Sequence, residues 1–399
     1  MTYFGETPTT DGDNTVVRFL ESGEFVTPEG VAEGEVLRVG GGAGGAVGGG
    51  GAGGVLEGTE ALSGTIPITV GEGGTAGADY PGTPAPGRGG HSAIGDMANL
   101  IPTMTGYSAP SGVASADSEY SAYPAWWAFD GTTGYFSGNW VSGLHAAPWW
   151  VGYQFGEAKT VRTYSVMARN DAAAAPQAWT LQGSTNGSTW DTLDARSGVV
   201  NWANSEEKFY PVDTPGDYAY YRLNVTAAAT SDHVAIGELR LYSAAFAIGG
   251  GVGGVRGFTD VVAGDGGCGG GGYLSDTTHT YGGQGSQGYD GGGNAAYYGS
   301  PYPSGGGGGA GGPGGDATSD STSGVGGVGL ESSITGSPVT YAVGGAGMCY
   351  GGSGPAGASN TGDGGGGKAA GGCGIVVISY LTPGGGESTE DLFLDGVWG

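Results

Sequence analysis

The side chains able to do chemistry are unevenly placed along this chain. Eight of the nine tryptophans (Trp126, Trp127, Trp140, Trp149, Trp150, Trp179, Trp190 and Trp202) fall within residues 98–243, with His145 and His233. The same stretch holds 13 acidic and 7 basic residues. None of these is spaced as a catalytic set: no Ser-His-Asp order, HExxH phrase or nucleophile elbow occurs. The glycine run at Gly40–Gly45 mimics a phosphate-binding loop, but no helix follows to offer its N-terminus. Cys268, Cys349 and Cys373 show no zinc-ligand spacing. Their odd number argues against a disulfide framework within the chain and fits synthesis in a reducing cytoplasm.

The elements that must position these groups are of two kinds. The chain has 399 residues and 95 glycines, yet residues 98–243 hold only 13 of them. Elsewhere about a third of the residues are glycine. Only the tryptophan-rich stretch can build an ordinary apolar core. Glycine-rich chain has few side chains to bury and loses much backbone entropy on folding. It needs backbone packing that only glycine permits, and runs such as Gly48–Gly54 break the strict period of collagen. The net charge of −26 gives no basic footprint for nucleic acid. The N-terminus lacks the basic and apolar regions of a secretory signal, and no apolar run nears the roughly 20 residues of a membrane span.

Short strands bracket the glycine-rich parts. They are expected at Val16–Leu20, Glu24–Val26, Val36–Val39, Gly64–Gly71 and Cys373–Tyr380, with a turn at Thr27-Pro28-Glu29-Gly30. No amphipathic helix is expected. The phrases Gly23-Glu-Phe25-Val-Thr-Pro28-Glu-Gly30-Val31, Ile68-Thr-Val-Gly-Glu-Gly-Gly74, Gly89-Gly-His-Ser-Ala-Ile-Gly95 and Gly374–Tyr380 occur in order. In this order they resemble a glycine-rich module of phage tail proteins and tail-tip adhesins, over roughly 12–97 and 244–381. The resemblance implies extended polyglycine-type helices of about three residues per turn, stacked through their backbones. It also implies a homotrimer, a place in the virion at a tail tip or tail fibre, and contact with other phage tail proteins.

The frame breaks off after Gly95 and resumes at Phe246. Between them lie Ala128-Phe-Asp-Gly-Thr132, Trp150–Gly156, Tyr164–Asp171, Pro176–Trp190, Tyr220–Leu223 and Ile236–Tyr242. These resemble, in order, the motifs of the discoidin, or coagulation-factor type C, family, over nearly all of 98–243. The fold class expected is therefore all-β: a discoidin-like jelly-roll sandwich inserted in a glycine-rich scaffold. Alternation at Val161–Val166 and Leu239–Tyr242 suits half-buried strands, and Asn186-Gly187 marks a hairpin. The domains expected are an N-terminal β segment (1–39), scaffold (40–97), the inserted sandwich (98–243, expected to fold by itself), scaffold again (244–381) and a C-terminal tail (382–399). The acidic and apolar tail is read as an anchor for a neighbouring tail protein.

The family resemblance also implies sites. Sugar-binding relatives use loop aromatics and polar fork donors, since aromatic faces pack on a pyranose and arginine donates paired hydrogen bonds. The matching candidates are Trp140, His145, Trp149, Arg169, Asn170, Trp202 and His233, while Trp150, Trp179 and Trp190 are assigned to the core. Arg169 has a second reading, as a brace for its own loop through Asp171. A structural calcium is implied at Asp130 and Glu238 with the carbonyls of Trp127, Thr132 and Tyr135. The alternative is that Asp130 only caps its turn. The function implied is non-catalytic recognition of host surface polysaccharide or lipopolysaccharide. A bacterial surface or secreted adhesin with the same modules is the alternative.

Overall fold

The computed structural model describes residues 6–78, 84–132, 134, 137–255, 263–273, 281–294 and 300–383. Apolar runs from the two ends of the chain meet in one antiparallel sheet. Asn14–Phe19 pairs with Ile375–Leu381, which pairs with Glu33–Val39, and that with Val55–Ala61; Thr9–Asp11 adds the outer strand. One face carries Val17, Phe19, Val36, Val376 and Ile378 against Phe25 and Ile68 of a second sheet. That sheet runs Phe246–Ala247, Ser92–Ile94, Thr65–Thr69, Gly23–Val26. The other face puts Val16, Leu37, Val39, Ile375 and Val377 against Ala52, Cys268 and Tyr341 of the glycine-rich body. Both faces are covered, so residues 375–378 read as an unbroken apolar run and not as an alternation. Each large side chain buried this way contributes roughly 1.5–3 kcal/mol.

The glycine-rich body is held by its backbone. Gly40 and Ala43 donate to Gly54 and Gly51, Gly41 and Gly44 to Gly90 and Gly87, and Gly42 and Gly45 to Gly372 and Ala369. The partner segment changes at every residue and returns at every third. This is the bonding of stacked threefold extended helices, which have no internal hydrogen bonds. Residues 48–54 repeat it against segments near 251, 307 and 364. The buried amides are thereby paired without a sheet. Glycine is demanded by the spacing: a Cβ on Gly44 would overlap the Thr75 carbonyl oxygen, and one on Gly50 the Ala43 carbonyl.

The insertion point is tight. Phe246 pairs with Ala93 and Ala247 with Ser92, so the strand before the insert and the strand after it lie side by side. The insert is a sandwich. One sheet runs Asp191–Arg196, Pro176–Ser184, Asp217–Ala228, Trp149–Thr160, Val113–Ala116; the other runs Glu207–Pro211, Thr163–Met167, Glu238–Tyr242. Trp140, Trp149, Trp179, Tyr164, Tyr221 and Leu181 fill the space between them. The only helix among the described residues is the short 3-10 turn Ala125–Phe129. The hairpin around Asn186-Gly187 forms, with Gly183 opposite Asp191 and Gly187 at φ 71°.

One expectation needs correction. Thr163–Met167 is not half-buried: residues 163–166 are all buried. Its outer face is covered by the frame connection and by side chains of the adjacent strands. The Thr163 hydroxyl donates to the Ala244 carbonyl at 2.9 Å, and Ser165 donates to Glu207 at 2.6 Å. The sandwich leans on the frame here. Lys208, whose side chain is 3% exposed, pairs with Asp265 at 2.5 Å. Arg88 pairs with Glu206, and Phe209 packs against His91 with the rings tilted by 56° and their centroids 4.3 Å apart. The expected docking tail lies, from residue 384 on, outside the described residues.

Candidate functional site

Loops at one edge of the sandwich are tied together by their backbones. Ser142 donates to the Val234 carbonyl at 3.0 Å, His145 to Asp232 at 2.8 Å, and Ala235 to Ala174 at 2.9 Å. The short strands Trp140–Val141 and Ala235–Ile236 pair beneath them. The loops of His145 and His233 are thus joined, and the loop after Arg169 meets them through Ala174. His145 is exposed, with Nε2 2.9 Å from both Asp117 and Ser118. His233 Nδ1 lies 2.8 Å from Asp232. Asn170 is exposed on its loop.

Arg169 is largely a brace. Its Nε and Nη2 donate to the two carboxylate oxygens of Asp171 at 2.8 and 2.5 Å. That pairing holds the Asp171 carboxyl below its usual range. Asp171 also accepts from the Ala173 amide, which fixes the turn that presents Asn170.

The structure removes two aromatics from the expected binding set. Trp140 is 0% exposed and Trp149 is 1% exposed. Their indole N–H groups donate inward, to the Ser118 carbonyl at 2.9 Å and the His145 carbonyl at 3.0 Å. They support the loops from below and offer no face to a ligand. Trp202 is half-buried; it donates to the Pro176 carbonyl at 2.8 Å and lies under Lys208 Nζ, 4.5 Å from the ring centroid. It is a packing residue on the side that faces the frame.

The opposite correction applies to two tryptophans assigned to the core. Trp179 is core, at 1% exposure. Trp150 and Trp190 are only partly buried. They lie on the outer face of the five-stranded sheet, with the Arg222 guanidinium 5.6 and 4.0 Å from their rings. Sequence reasoning also missed Asp117, Ser118 and Asp232, which set the two histidines. Asp117 and Ser118 stand more than 25 positions from His145; no short-range pattern announces such a contact.

The implied cation site holds a buried carboxyl with one unpartnered oxygen. Glu238 is 1% exposed, and its Oε1 has no hydrogen-bond partner. Burial, and then the nearby Asp130, push its carboxyl up to about 8, against the pull of Arg240. Asp130 Oδ1 accepts from the Thr132 amide at 2.9 Å and hydroxyl at 2.7 Å, so it does cap its turn. Two facing carboxyls, one of them orphaned, suit a hard divalent cation. Among the described residues no three His, Cys, Asp or Glu side chains could hold a metal. Carbonyls, that of half-buried Trp127 for one, would have to complete the shell. Tyr135 lies outside the described residues.

Residues 113–239 match the F5/8 type C domain family. No curated protein matches the chain. Among solved structures, chitosan-binding module 1 of a chitosanase/glucanase from Paenibacillus sp. IK-5 is similar, at 22% identity and TM-score 0.29, over 36% of this chain and 98% of that one. The family 32 carbohydrate-binding module of Clostridium perfringens NanJ, solved with galactose, is similar at 21% identity and TM-score 0.29, over 33% and 93%. What the glycine-rich frame carries, at residues 113–239, is thus a stretch that matches the F5/8 type C, or discoidin-like, domain family.

Proposed function

We propose that this chain is a non-catalytic structural component of a bacteriophage tail tip or tail fibre that recognises host-cell surface glycans through its discoidin-like domain. The observation that carries the reading is the joined loop edge. His145, His233 and Asn170 stand there on a rigid sandwich, with their loops cross-linked by backbone hydrogen bonds. Polar side chains held in place by packing are what recognition of a polyhydroxylated ligand requires. The tail setting is supported by the order of the frame phrases and by the stacked glycine helices they build. The partners proposed are host polysaccharide or lipopolysaccharide and other tail proteins, with the chain as a homotrimer in the virion. Calcium is proposed at Glu238 and Asp130, where it would take the unpartnered Glu238 oxygen as a ligand and steady the turn beside the 3-10 helix.

The test is antibody labelling of lysates from infected cells under the electron microscope, together with binding of the full chain to host cells before and after periodate oxidation of their glycans. Label on tail tips and binding that periodate abolishes are the expected results. Label on the cell envelope would favour a bacterial adhesin. Binding that periodate leaves intact would remove the glycan.

A further inference from the structure

Between the sandwich and the frame lies a cleft of about 380 Å³. It is lined from one side by strand Glu207–Pro211 and the turn after Arg196, and from the other by the glycine segments near His91, Asp265 and Gln284. Neither half makes it alone. Its volume falls within the roughly 300–1,000 Å³ of small-molecule sites, which favour domain boundaries.

The cations that line it are already matched. Lys208 pairs with Asp265, Arg88 with Glu206, and Arg196 with Asp194. An anionic ligand would have to compete with these pairs, and breaking the buried Lys208–Asp265 pair costs several kcal/mol. Hydrogen-bonding groups outside these pairs, by contrast, are left open. His91 Nδ1 accepts from the Gly249 amide at 3.0 Å. Burial lowers the imidazole to about 4, so the ring is neutral and its proton sits on Nε2. That N–H has no hydrogen-bond partner among the described residues, and neither has the Tyr210 hydroxyl. Asp290 uses one carboxylate oxygen on the Gly285 amide at 2.8 Å and keeps the other as an acceptor. All three residues line the cleft, and the ring of Phe209 supplies an apolar wall.

We infer that this cleft binds a short neutral glycan, at a site separate from the joined loops of His145 and His233 (the distal loops). Hydroxyls satisfy the two open donors and the open acceptor, and the C–H face of a pyranose lies against Phe209. Because both halves contribute, an occupied cleft also fastens the sandwich to its frame. The site stands whether or not the distal loops bind the host.

The experiment is calorimetric titration of the full chain with galactose, N-acetylgalactosamine and lactose. Tyr210→Phe removes one open hydroxyl and keeps the ring. Ser197→Trp fills the cleft from an exposed rim position. Binding of at least one of the three sugars by the native chain is expected. Tyr210→Phe should weaken it about tenfold, and Ser197→Trp should abolish it, with both variants melting as the native chain does. Absence of binding of all three sugars, or native affinity in both variants, overturns the proposal. If His145→Ala removes the binding and Tyr210→Phe retains it, the sugar sits on the distal loops. The cleft proposal then fails while the loop reading stands.

Discussion

Replacing Trp140 by alanine separates support from recognition. The indole is fully buried and donates to the Ser118 carbonyl at 2.9 Å. Deleting a buried tryptophan side chain costs about 3–5 kcal/mol, the transfer free energy plus that of the cavity left behind. Much of this falls on the sandwich, because Trp140 sits in the same apolar cluster as Phe129, Trp149 and Ile236. A stability change of 1 kcal/mol moves the melting midpoint of a 150–250-residue domain by roughly 2–4 °C. Trp140→Ala should therefore melt about 6–20 °C lower. Trp140→Phe should recover part of the packing but leave the Ser118 carbonyl unpaired, a penalty of about 1–3 kcal/mol. Scanning calorimetry of the full chain, with near-ultraviolet circular dichroism for tertiary packing, reads both. A Trp140→Ala protein with native melting behaviour and weakened glycan binding would refute the reasoning and return the residue to the surface.

Further outcomes follow from the buried charges. Lys208→Ala leaves Asp265 buried without its partner, so it should destabilise the junction by about 3–5 kcal/mol, while the double variant with Asp265→Asn recovers much of the loss in a double-mutant cycle. The His91 imidazole is lowered to about 4, against 6.5 for an ordinary histidine. Its native contribution is present above pH 6.5 and is lost as pH falls from there toward 4, since the unfolded chain takes up the proton first. Melting midpoints across that window should drop, and His91→Gln should flatten the drop. Glu238 has its carboxyl raised to about 8. In chelator its contribution to stability should fall as pH rises from about 4.5 toward 8, because the native state holds the proton that the unfolded state releases. Calcium should reverse that fall, and Glu238→Gln should abolish the calcium response.

Much of the frame was legible because its physics is local. The apolar run 375–378 and the strand 36–39 before polyglycine read as strands, and they pair with each other, Ile378 opposite Val36. That the glycine-rich part needs close backbone packing was reachable from composition, since only glycine lets backbones approach so closely, whereas the threefold period came from the resemblance to tail-tip modules. The tryptophans were harder. Their direction depends on strand parity, which a motif does not state. In Trp149–Thr160 the apolar set is Trp149, Val151, Tyr153 and Phe155, so Trp149 points inward and Trp150 outward. That alternation was present in the sequence and was overridden by the motif boundary at Trp150. The double burial of Thr163–Met167 was not legible, because the frame connection that covers Thr163 arrives from Ala244, 81 positions away. The His145 and His233 partners, and the cleft beside His91, also depend on contacts made only after folding.

The joined loop edge is proposed to recognise a host glycan. The most direct measurement is the affinity of the full chain for purified host lipopolysaccharide, compared with that of a His145→Ala, Asn170→Ala double variant. Both residues are exposed, so the fold should survive their truncation. Affinity at least about tenfold weaker in the variant, a loss of roughly 1.4 kcal/mol or more, is expected, with an unchanged melting midpoint. Equal affinity for native and variant chains would contradict it.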